Sequence, residues 1–150
     1  MLDDPRLHEF IGGHPLRLNE LRGRYERQVT GWSPDREQRW LNWVVRELTD
    51  RQAIGVVQAT VIASASLQAD LAWTIAIDFQ GCGYAQEAAG TIAAWLTEHD
   101  VEVLVAAIHP DHLASGRVAQ AIGLRPTTET VAGEVRWSNQ TPRCSRRRES

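Results

Sequence analysis

Residues 79–85 read Phe-Gln-Gly-Cys-Gly-Tyr-Ala and stand between two stretches of different periodicity. Before them, residues 71–77 are apolar and rich in residue types that favour β-strands. After them, apolar residues recur every three or four positions, which predicts a helix over residues 83–98. A glycine-bearing turn at a helix start leaves backbone N–H groups unpaired and directs the positive end of the helix dipole outward. The stretch therefore predicts an anion-binding turn, most often a phosphate site.

We interpret this turn as a site for the diphosphate of a nucleotide-like cofactor. Three other interpretations are possible. A phosphate loop ending in Gly-Lys-Ser or Gly-Lys-Thr is excluded because the chain contains no lysine. A dinucleotide fingerprint fits Gly81 and Gly83, but Gln86 occupies the third glycine position and Glu102 lies at the start of the next strand instead of its end. An ordinary strand-to-helix turn, whose glycines serve geometry alone, stays open as the alternative.

The second half of the chain carries a longer pattern. Gln80-x-x-Gly83-x-Ala85 resembles the acetyl-CoA pyrophosphate loop of the GCN5-related N-acetyltransferases (GNAT), whose pattern is Arg/Gln-x-x-Gly-x-Gly/Ala. Residues 109–118 read His-Pro-Asp-His-Leu-Ala-Ser-Gly-Arg-Val, and residues 122–127 read Ile-Gly-Leu-Arg-Pro-Thr. They look like the His-Pro-Asp-Asn-x-x-Ser-x-Arg-Val … Gly-Leu-Arg-Pro-Thr signature of the ribosomal-protein N-terminal acetyltransferases, the RimJ/RimL type. With both motifs in order, the resemblance covers residues 2–138.

The resemblance implies an α/β (α+β) GNAT fold, in which helices flank a mixed, mostly antiparallel sheet with one splayed parallel strand pair. The order of the periodic segments agrees, since several strands in a row are followed by alternating helices and strands. The expected segments are helices within 2–11 and at 16–28, strands at 39–46, 53–62 and 70–77, a helix at 83–98, a strand at 101–108, a helix at 111–122, and a hairpin at 127–131 and 134–138. The strands at 70–77 and 101–108 are the expected splayed pair.

Length and composition bound the class of protein. At 150 residues the chain suits one domain, with a GNAT domain at 1–138 and a disordered Arg-rich tail at 139–150. Hydrophobic residues make up 43% and charged residues 23%, which is ordinary for a soluble globular protein. The sequence has no apolar run of membrane-spanning length, no signal peptide and an acidic body. We therefore expect a cytoplasmic protein that binds neither membrane nor nucleic acid.

The start of the chain departs from the family pattern. Relatives open with a strand of Leu-x-Leu-Arg-Pro character before the first helix, whereas Met1 falls where that helix is already under way. Either the true start lies upstream, or the first strand is missing and the strand at 39–46 is an exposed sheet edge. An exposed edge favours strand pairing between molecules. The expectation is lowered stability or dimerisation, so the chain is a monomer or a homodimer.

The resemblance further implies that acetyl-CoA is the donor substrate and that no metal is required. Backbone N–H groups of the turn are expected to bind the diphosphate, while backbone groups of Ile75 and Ile77 pair with the pantetheine arm. His112, which replaces the motif asparagine, and Ser115 are expected to contact the donor from the next helix. The expected binding residues are Ile75, Ile77, Gln80, Gly81, Cys82, Gly83, Tyr84, Ala85, His112 and Ser115.

Acetyl transfer to an amine also needs a base and a group that stabilises the departing thiolate. Asp70 stands where many relatives carry a glutamate that draws a proton through water, and the plainer interpretation is a strand-end aspartate. Ser115 matches the motif serine and can hydrogen-bond or protonate the thiolate, and the plainer interpretation is a cap-region serine. Ala119 stands where many relatives carry a tyrosine acid. Because histidine caps a helix poorly, Asp111 is expected to be the N-cap.

Two functions follow from these residues. The first is an N-acetyltransferase in which a primary amine, either a protein N-terminus or a small molecule, attacks acetyl-CoA directly in a ternary complex. The alternative is a non-catalytic acyl-CoA-binding or regulatory domain, because the tyrosine is absent and the asparagine is replaced. A truncated fragment that dimerises without function is the third, structural possibility. The tryptophans at 32, 40, 43 and 73 are candidates to line the acceptor pocket.

Overall fold

A computed structural model describes residues 18–140 of the chain. Its elements are α1 (Leu18–Val29), β1 (Gln38–Arg46), β2 (Ala53–Ala63), β3 (Leu67–Ile75), a 3-10 helix (Ile77–Phe79), α2 (Tyr84–Glu98), β4 (Val103–Ile108), α3 (Leu113–Ala121), β5 (Arg125–Val131) and β6 (Glu134–Ser138). The expected helix within 2–11, the possible missing first strand and the tail beyond residue 140 lie outside the described residues.

The six strands form one sheet in the order β1-β2-β3-β4-β6-β5. β3 and β4 run parallel, and all the other neighbouring strands are antiparallel. The β5–β6 hairpin turns at Ala132 and Gly133, whose φ values of 51° and 83° are both positive, as a type I′ turn requires. The expected fold class, a mixed and mostly antiparallel sheet with flanking helices, is confirmed.

The parallel pair β3–β4 is short. The paired residues are Gln68 with Val103, Ala69 with Leu104 and Asp70 with Val105. Beyond this point β3 continues against β2 and β4 continues against β6, so each strand keeps one partner and separates from the other. A gap therefore opens between the carboxyl-terminal halves of β3 and β4, and the expected splay is confirmed. Both following loops leave the sheet at that same edge, because the two strands are parallel.

α2 and α3 pack on one face of the sheet. Side chains alternate along a strand, so Ala69 and Leu71 of β3 face these helices while Asp70 and Ala72 face the other way. The buried cluster on the helix face comprises Ala59, Ala69, Leu71, Ala93, Leu96, Val101, Leu104, Ala106, Ile108, Ala119 and Leu124. Its alanines let the helices lie close to the sheet. No helix within residues 18–140 has the length and apolar character that crossing a membrane requires.

The end of β3 differs from the sequence prediction. The predicted strand spans 70–77, but the strand begins three residues earlier and ends at Ile75. Phe79 N–H donates to the Ala76 carbonyl at 2.9 Å, and Gln80 N–H donates to the Ile77 carbonyl at 3.1 Å. These bonds close a 3-10 turn, so Ile77 lies in that turn and not in a strand. The other predicted bounds within the described residues lie within two residues of the structure.

β1 lies at one edge of the sheet. Trp40 N–H donates to the Gly31 carbonyl and Ser33 N–H donates to the Gln38 carbonyl, each at 2.9 Å, so residues 31–33 cover the first part of that edge. Among residues 18–140, no other segment pairs with the outer side of β1. Whether the second half of β1 is an exposed edge depends on residues 1–17, so that expectation stays a prediction.

The sheet also holds the residue that follows β6. Asn139 accepts a hydrogen bond from Leu104 N–H at 3.0 Å and donates from its side-chain nitrogen to the Glu102 carbonyl at 3.0 Å. Its own N–H donates to the Leu104 carbonyl at 3.1 Å. These bonds hold Asn139 against the start of β4, next to the predicted domain limit at residue 138.

Among the described glycines, Gly55 of β2 has the least room for a side chain, because it pairs closely with the end of β3. A Cβ at this residue would stand 2.4 Å from the Thr74 carbonyl oxygen and 2.6 Å from Ile75 Cδ1. Since the oxygen belongs to the backbone, Gly55→Ala must shift β3 and is expected to cost about 1–3 kcal/mol of unfolding free energy. Urea unfolding followed by tryptophan fluorescence measures this loss.

Gly90→Ala is the matched control. A Cβ there would lie 3.9 Å from Ile122 Cγ2, in ordinary contact, and alanine in a helix is favoured over glycine by about 0.5–1 kcal/mol. This variant is expected to be as stable as the native protein or more so. A Gly55→Ala protein of native stability would show that the close approach of β2 to the end of β3 is not required.

Candidate active site

The glycine turn has the conformation that the sequence predicts. Gly81 and Gly83 have φ values of 77° and 85°, in the left-handed region that favours glycine. Gly83 is the N-cap of α2, and no side chain caps that helix start. A Cβ built on either glycine meets no heavy atom within 4 Å. The two glycines are thus required for backbone conformation, and their outer side faces open space where a ligand has room to approach.

The turn presents a row of backbone donors. The first helical bond of α2 runs from Glu87 N–H to the Gly83 carbonyl, at 3.0 Å. Within residues 18–140, none of the N–H groups of residues 81–86 donates to another protein atom. Together with the positive end of the helix dipole, these groups suit a diphosphate. The arrangement leaves available the amides of Gly81, Cys82, Gly83, Tyr84 and Ala85 that the sequence assigns to the donor.

Gln80 is the exception in that set. Its N–H is already bonded to the Ile77 carbonyl, so the expectation that this amide faces the ligand does not hold here. Its side-chain nitrogen donates to the Ile75 carbonyl at 2.9 Å. Gln80 therefore connects the start of the turn to the end of β3 by hydrogen bonds.

The backbone of β3 also faces the gap. Ala76 N–H donates to the Ile54 carbonyl at 2.8 Å, on the β2 side. Hydrogen-bonded pairs alternate along an antiparallel ladder, so Ile75 and Trp73 direct their N–H and C=O groups to the opposite side, toward β4. β4 has already separated from β3 at this level. The Ile75 N–H thus suits the expected pairing with an extended ligand, while the Ile75 carbonyl already accepts the bond from Gln80. Ile77 lies beyond the strand.

α3 begins at the same edge of the sheet as α2. His112 is its N-cap and makes no side-chain capping bond, and the helix starts at Leu113. Asp111 is therefore not the N-cap, contrary to the sequence prediction, and its N–H donates to His109 Nδ1 at 3.2 Å. Partial burial lowers the pKa of the His112 imidazole, and the charge of His109 acts in the same direction. His112 is consequently neutral at neutral pH.

Ser115 lies in the first turn of α3 and is half-buried. Within the described residues its hydroxyl has no hydrogen-bond partner. A free hydroxyl beside the unpaired N–H groups of a helix start suits stabilisation of a developing negative charge. The sequence predicts Ser115 in the first turn of this helix, and the structure has it there.

Asp70 lies at the point where β3 and β4 separate, since its pair with Val105 is the last of the parallel ladder. Its side chain is on the face opposite α2 and α3. Although it keeps contact with solvent, loss of water on burial raises the pKa of the Asp70 carboxyl. Arg136 partly offsets this rise, and Glu134 adds to it. A carboxyl with a raised pKa is a better proton acceptor than an ordinary aspartate.

Polar neighbours of Asp70 come from β6, and the sequence analysis did not identify them. Arg136 donates from Nη2 to Gln68 Oε1 at 3.2 Å, and its Nε lies 3.5 Å from Glu129 Oε2. The alternation of residues along β6 puts Arg136 and Glu134 on the face of Asp70. The alternation can be seen in the sequence, but only the pairing of β6 with β4 shows that Arg136 and Glu134 share a face with Asp70.

The tryptophans are distributed over both faces of the sheet. Trp43 and Trp73 are partly buried and pack against the cluster under the helices. Trp32 is 46% exposed and lies beside Arg39, whose guanidinium carbon is 5.7 Å from the indole centroid. Trp43 and Trp73 therefore belong to the core side and do not line the face that carries Asp70. Within residues 18–140, no cluster of His, Cys, Asp and Glu could hold a metal ion.

The sequence also matches a known protein family over most of its length. The family model described as "Acetyltransferase (GNAT) domain" matches residues 1–125. The chain belongs to the GNAT acetyltransferase family. A solved structure from Vibrio cholerae assigned as a ribosomal-protein-serine acetyltransferase is 18% identical over 80% of this chain and 71% of that one, with a TM-score of 0.62. Among curated proteins, no sequence matches the chain.

Other solved structures share the GNAT fold. Spermidine N-acetyltransferase from Vibrio cholerae, in complex with CoA and spermine, is 16% identical over 91% of this chain and 83% of that one, with a TM-score of 0.71. An acetyltransferase from Agrobacterium tumefaciens str. C58 is 23% identical over 93% and 81%, with a TM-score of 0.66. At these identities the likeness shows the fold alone.

The raised pKa of Asp70 yields a prediction on stability. Below the ordinary aspartate pKa of 3.8 the carboxyl is protonated in both folded and unfolded chains, and its burial then costs little. As the pH rises through the folded-state pKa, the native state must ionise a carboxyl that has lost part of its water, so its contribution to stability is lost. Asp70→Asn is therefore expected to unfold at a higher temperature than the native protein at pH 7, and the difference is expected to vanish near pH 3.5.

Thermal unfolding from pH 3.5 to pH 8 measures the difference, with Asp78→Asn, at an exposed aspartate of the 3-10 helix, as the control. An Asp70→Asn protein that is less stable than the native protein at pH 7 would mean that Asp70 is a structural carboxylate, held by Arg136.

Proposed function

We propose that this GNAT protein transfers the acetyl group of acetyl-CoA directly to a primary amine, either a protein N-terminus or a small molecule. The observation that carries the proposal is the row of N–H groups at residues 81–86, which have no protein acceptor in the described chain and stand beside the gap between β3 and β4. A diphosphate bound there directs an extended arm along the free edge of β3. The thioester at the end of that arm then lies toward Asp70.

The proposed chemistry uses residues from both sides of the gap. The acceptor nitrogen forms a bond to the acetyl carbon while the carbon–sulfur bond breaks, and the sulfur departs as a thiolate. Asp70, through a water molecule, takes the proton that the amine loses. The Ser115 hydroxyl and the N–H groups of Ala114 and Ser115, which have no protein acceptor in the described chain, stabilise the thiolate by hydrogen bonding. His112, neutral and partly buried, contributes a hydrogen bond to the donor and no charge.

The non-catalytic alternative rests on one observation. Ala119 is fully buried where many relatives carry a tyrosine acid, so no phenol reaches the gap from that position of α3. A domain without an acid binds acetyl-CoA and does not transfer the acetyl group. The two functions agree on donor binding and differ only in turnover. We also propose a cytoplasmic location and a monomer or homodimer, on the basis of the composition and of the position of β1 at the edge of the sheet within residues 18–140.

Donor binding is the first test. A ligand that binds only the folded state at about 100 times its Kd stabilises by about 2.7 kcal/mol. For a chain of this length, acetyl-CoA is expected to raise Tm by roughly 5–10 °C. Gly83→Asp is expected to abolish the shift, because it sets a carboxylate against the phosphates.

The matched control is Gly133→Asp. Both glycines have positive φ and open space at Cβ, so both variants bear the same backbone strain. Gly133 lies in the hairpin turn far along the chain from the donor loop, and its variant is expected to keep the full shift. Loss of the shift in both variants, or its retention in Gly83→Asp, would refute the assignment of the donor loop.

Turnover separates the enzyme from the binding domain. A panel of peptide N-termini and small-molecule amines, assayed by release of free thiol, is expected to give at least one acceptor. With that acceptor, Asp70→Asn is expected to lose about 100-fold in kcat, and the deficit is expected to shrink as the pH approaches the amine pKa, since the amine is then already neutral. Ser115→Ala is expected to lose about tenfold at every pH. Tight acetyl-CoA binding without transfer across the panel would favour the non-catalytic alternative.

A further inference from the structure

A hydrogen bond joins the donor loop to a distant turn of the sheet. Tyr84 is the first residue of α2, and its hydroxyl donates to Glu47 Oε1 at 2.8 Å across a separation of 37 residues. Glu47 follows β1 directly and begins the β1–β2 turn. Both side chains are half-buried. This bond raises the pKa of Tyr84, so the phenol stays protonated and remains a donor at neutral pH.

The turn that carries Glu47 is well ordered by its own hydrogen bonds. Glu47 N–H donates to the Gln52 carbonyl at 2.9 Å, and Arg51 N–H donates to the Glu47 carbonyl at 3.1 Å. Asp50 Oδ1 accepts from Gln52 N–H at 2.9 Å, and Arg46 Nη1 donates to the Arg51 carbonyl at 3.0 Å. Glu47 is thus held by a fixed segment at the end of a nine-residue strand ladder.

The two halves of the donor loop are held differently. The first half, up to Gln80, is bonded to Ala76, Ile77 and Ile75. In the second half, residues 81–83 make no backbone N–H bond to the described protein, as an anion site requires. The ring of Tyr84 contacts Phe79 edge-on, with centroids 6.4 Å apart, and its hydroxyl contacts Glu47. Tyr84 is therefore the side chain that ties the phosphate-facing half of the loop to the sheet.

We infer that Glu47 is a positioning residue for the donor: through Tyr84 it fixes the orientation of the N–H groups that receive the diphosphate. The inference rests on the proposed function and deepens it. Without the bond, Tyr84 is free to rotate and the first turn of α2 loses its tie to the β1–β2 turn. Ordering of the loop then accompanies each binding event and weakens it. Glu47 acts through Tyr84 and does not itself contact the donor.

The test is a double-mutant cycle on CoA binding, measured by isothermal titration well below Tm. Tyr84→Phe and Glu47→Ala are each expected to raise the Kd for CoA about fivefold, the value of one ordinary hydrogen bond. The double variant is expected to lose no more than either single variant, because the two side chains act as one pair. Glu47→Gln keeps an acceptor for the phenol and is expected to bind CoA within twofold of the native protein.

Two further measurements exclude a merely structural role. With an active acceptor, the variants are expected to raise the KM for acetyl-CoA more than they change kcat. Glu98→Ala, at the opposite end of the same helix, is the control and is expected to leave the Kd for CoA unchanged. If the losses from Tyr84→Phe and Glu47→Ala add in the double variant, or if neither changes the Kd, the inference is overturned. A native protein that binds no CoA would overturn the proposed function as well, so the two failures are distinguishable.

Discussion

The short parallel contact between β3 and β4 is the constraint on which the rest of the structure depends. After three residue pairs, β4 keeps only β6 and β3 keeps only β2. Gly55 permits the close approach that holds the end of β3 against β2. Peptide groups at the separated edges lack the partners that a continuous sheet supplies, and buried peptide groups require partners. The gap therefore suits either water or an extended chain that presents its own amide groups.

The gap separates two environments of opposite charge preference. At the edge of the sheet, α2 and α3 both begin, so unpaired N–H groups and two helix dipoles favour an anion there. At the start of the gap, on the face without α2 and α3, Asp70 supplies a carboxyl of raised pKa. An anionic donor and an amine acceptor thus meet complementary groups at different places. The alanine-rich packing of the helices keeps the donor edge compact.

Local chemistry explains how much of this could be predicted from the sequence. Gly81 and Gly83 favour positive φ values, and the structure has them. The spacing of the alanines and leucines that follow predicts the start of α2 to within one residue. The strand that ends at Ile75 was predicted to continue to 77 because Ile77 is apolar and β-branched. The strand ends earlier because the backbone forms the hydrogen bonds of the 3-10 turn, which cannot be predicted from the spacing of apolar residues. The bond between Glu47 and Tyr84 joins residues 37 positions apart, so only the folded chain reveals it.

The packing of α3 bears on how a thiolate can be stabilised in this protein. Ala119 has no exposed surface and belongs to the core cluster, so a phenol at that position would overfill the space between helix and sheet. Ser115 lies four residues earlier, on the same helix face and closer to the gap. A serine hydroxyl is a far weaker acid than a thiol, and it therefore stabilises a thiolate by hydrogen bonding without transferring its proton.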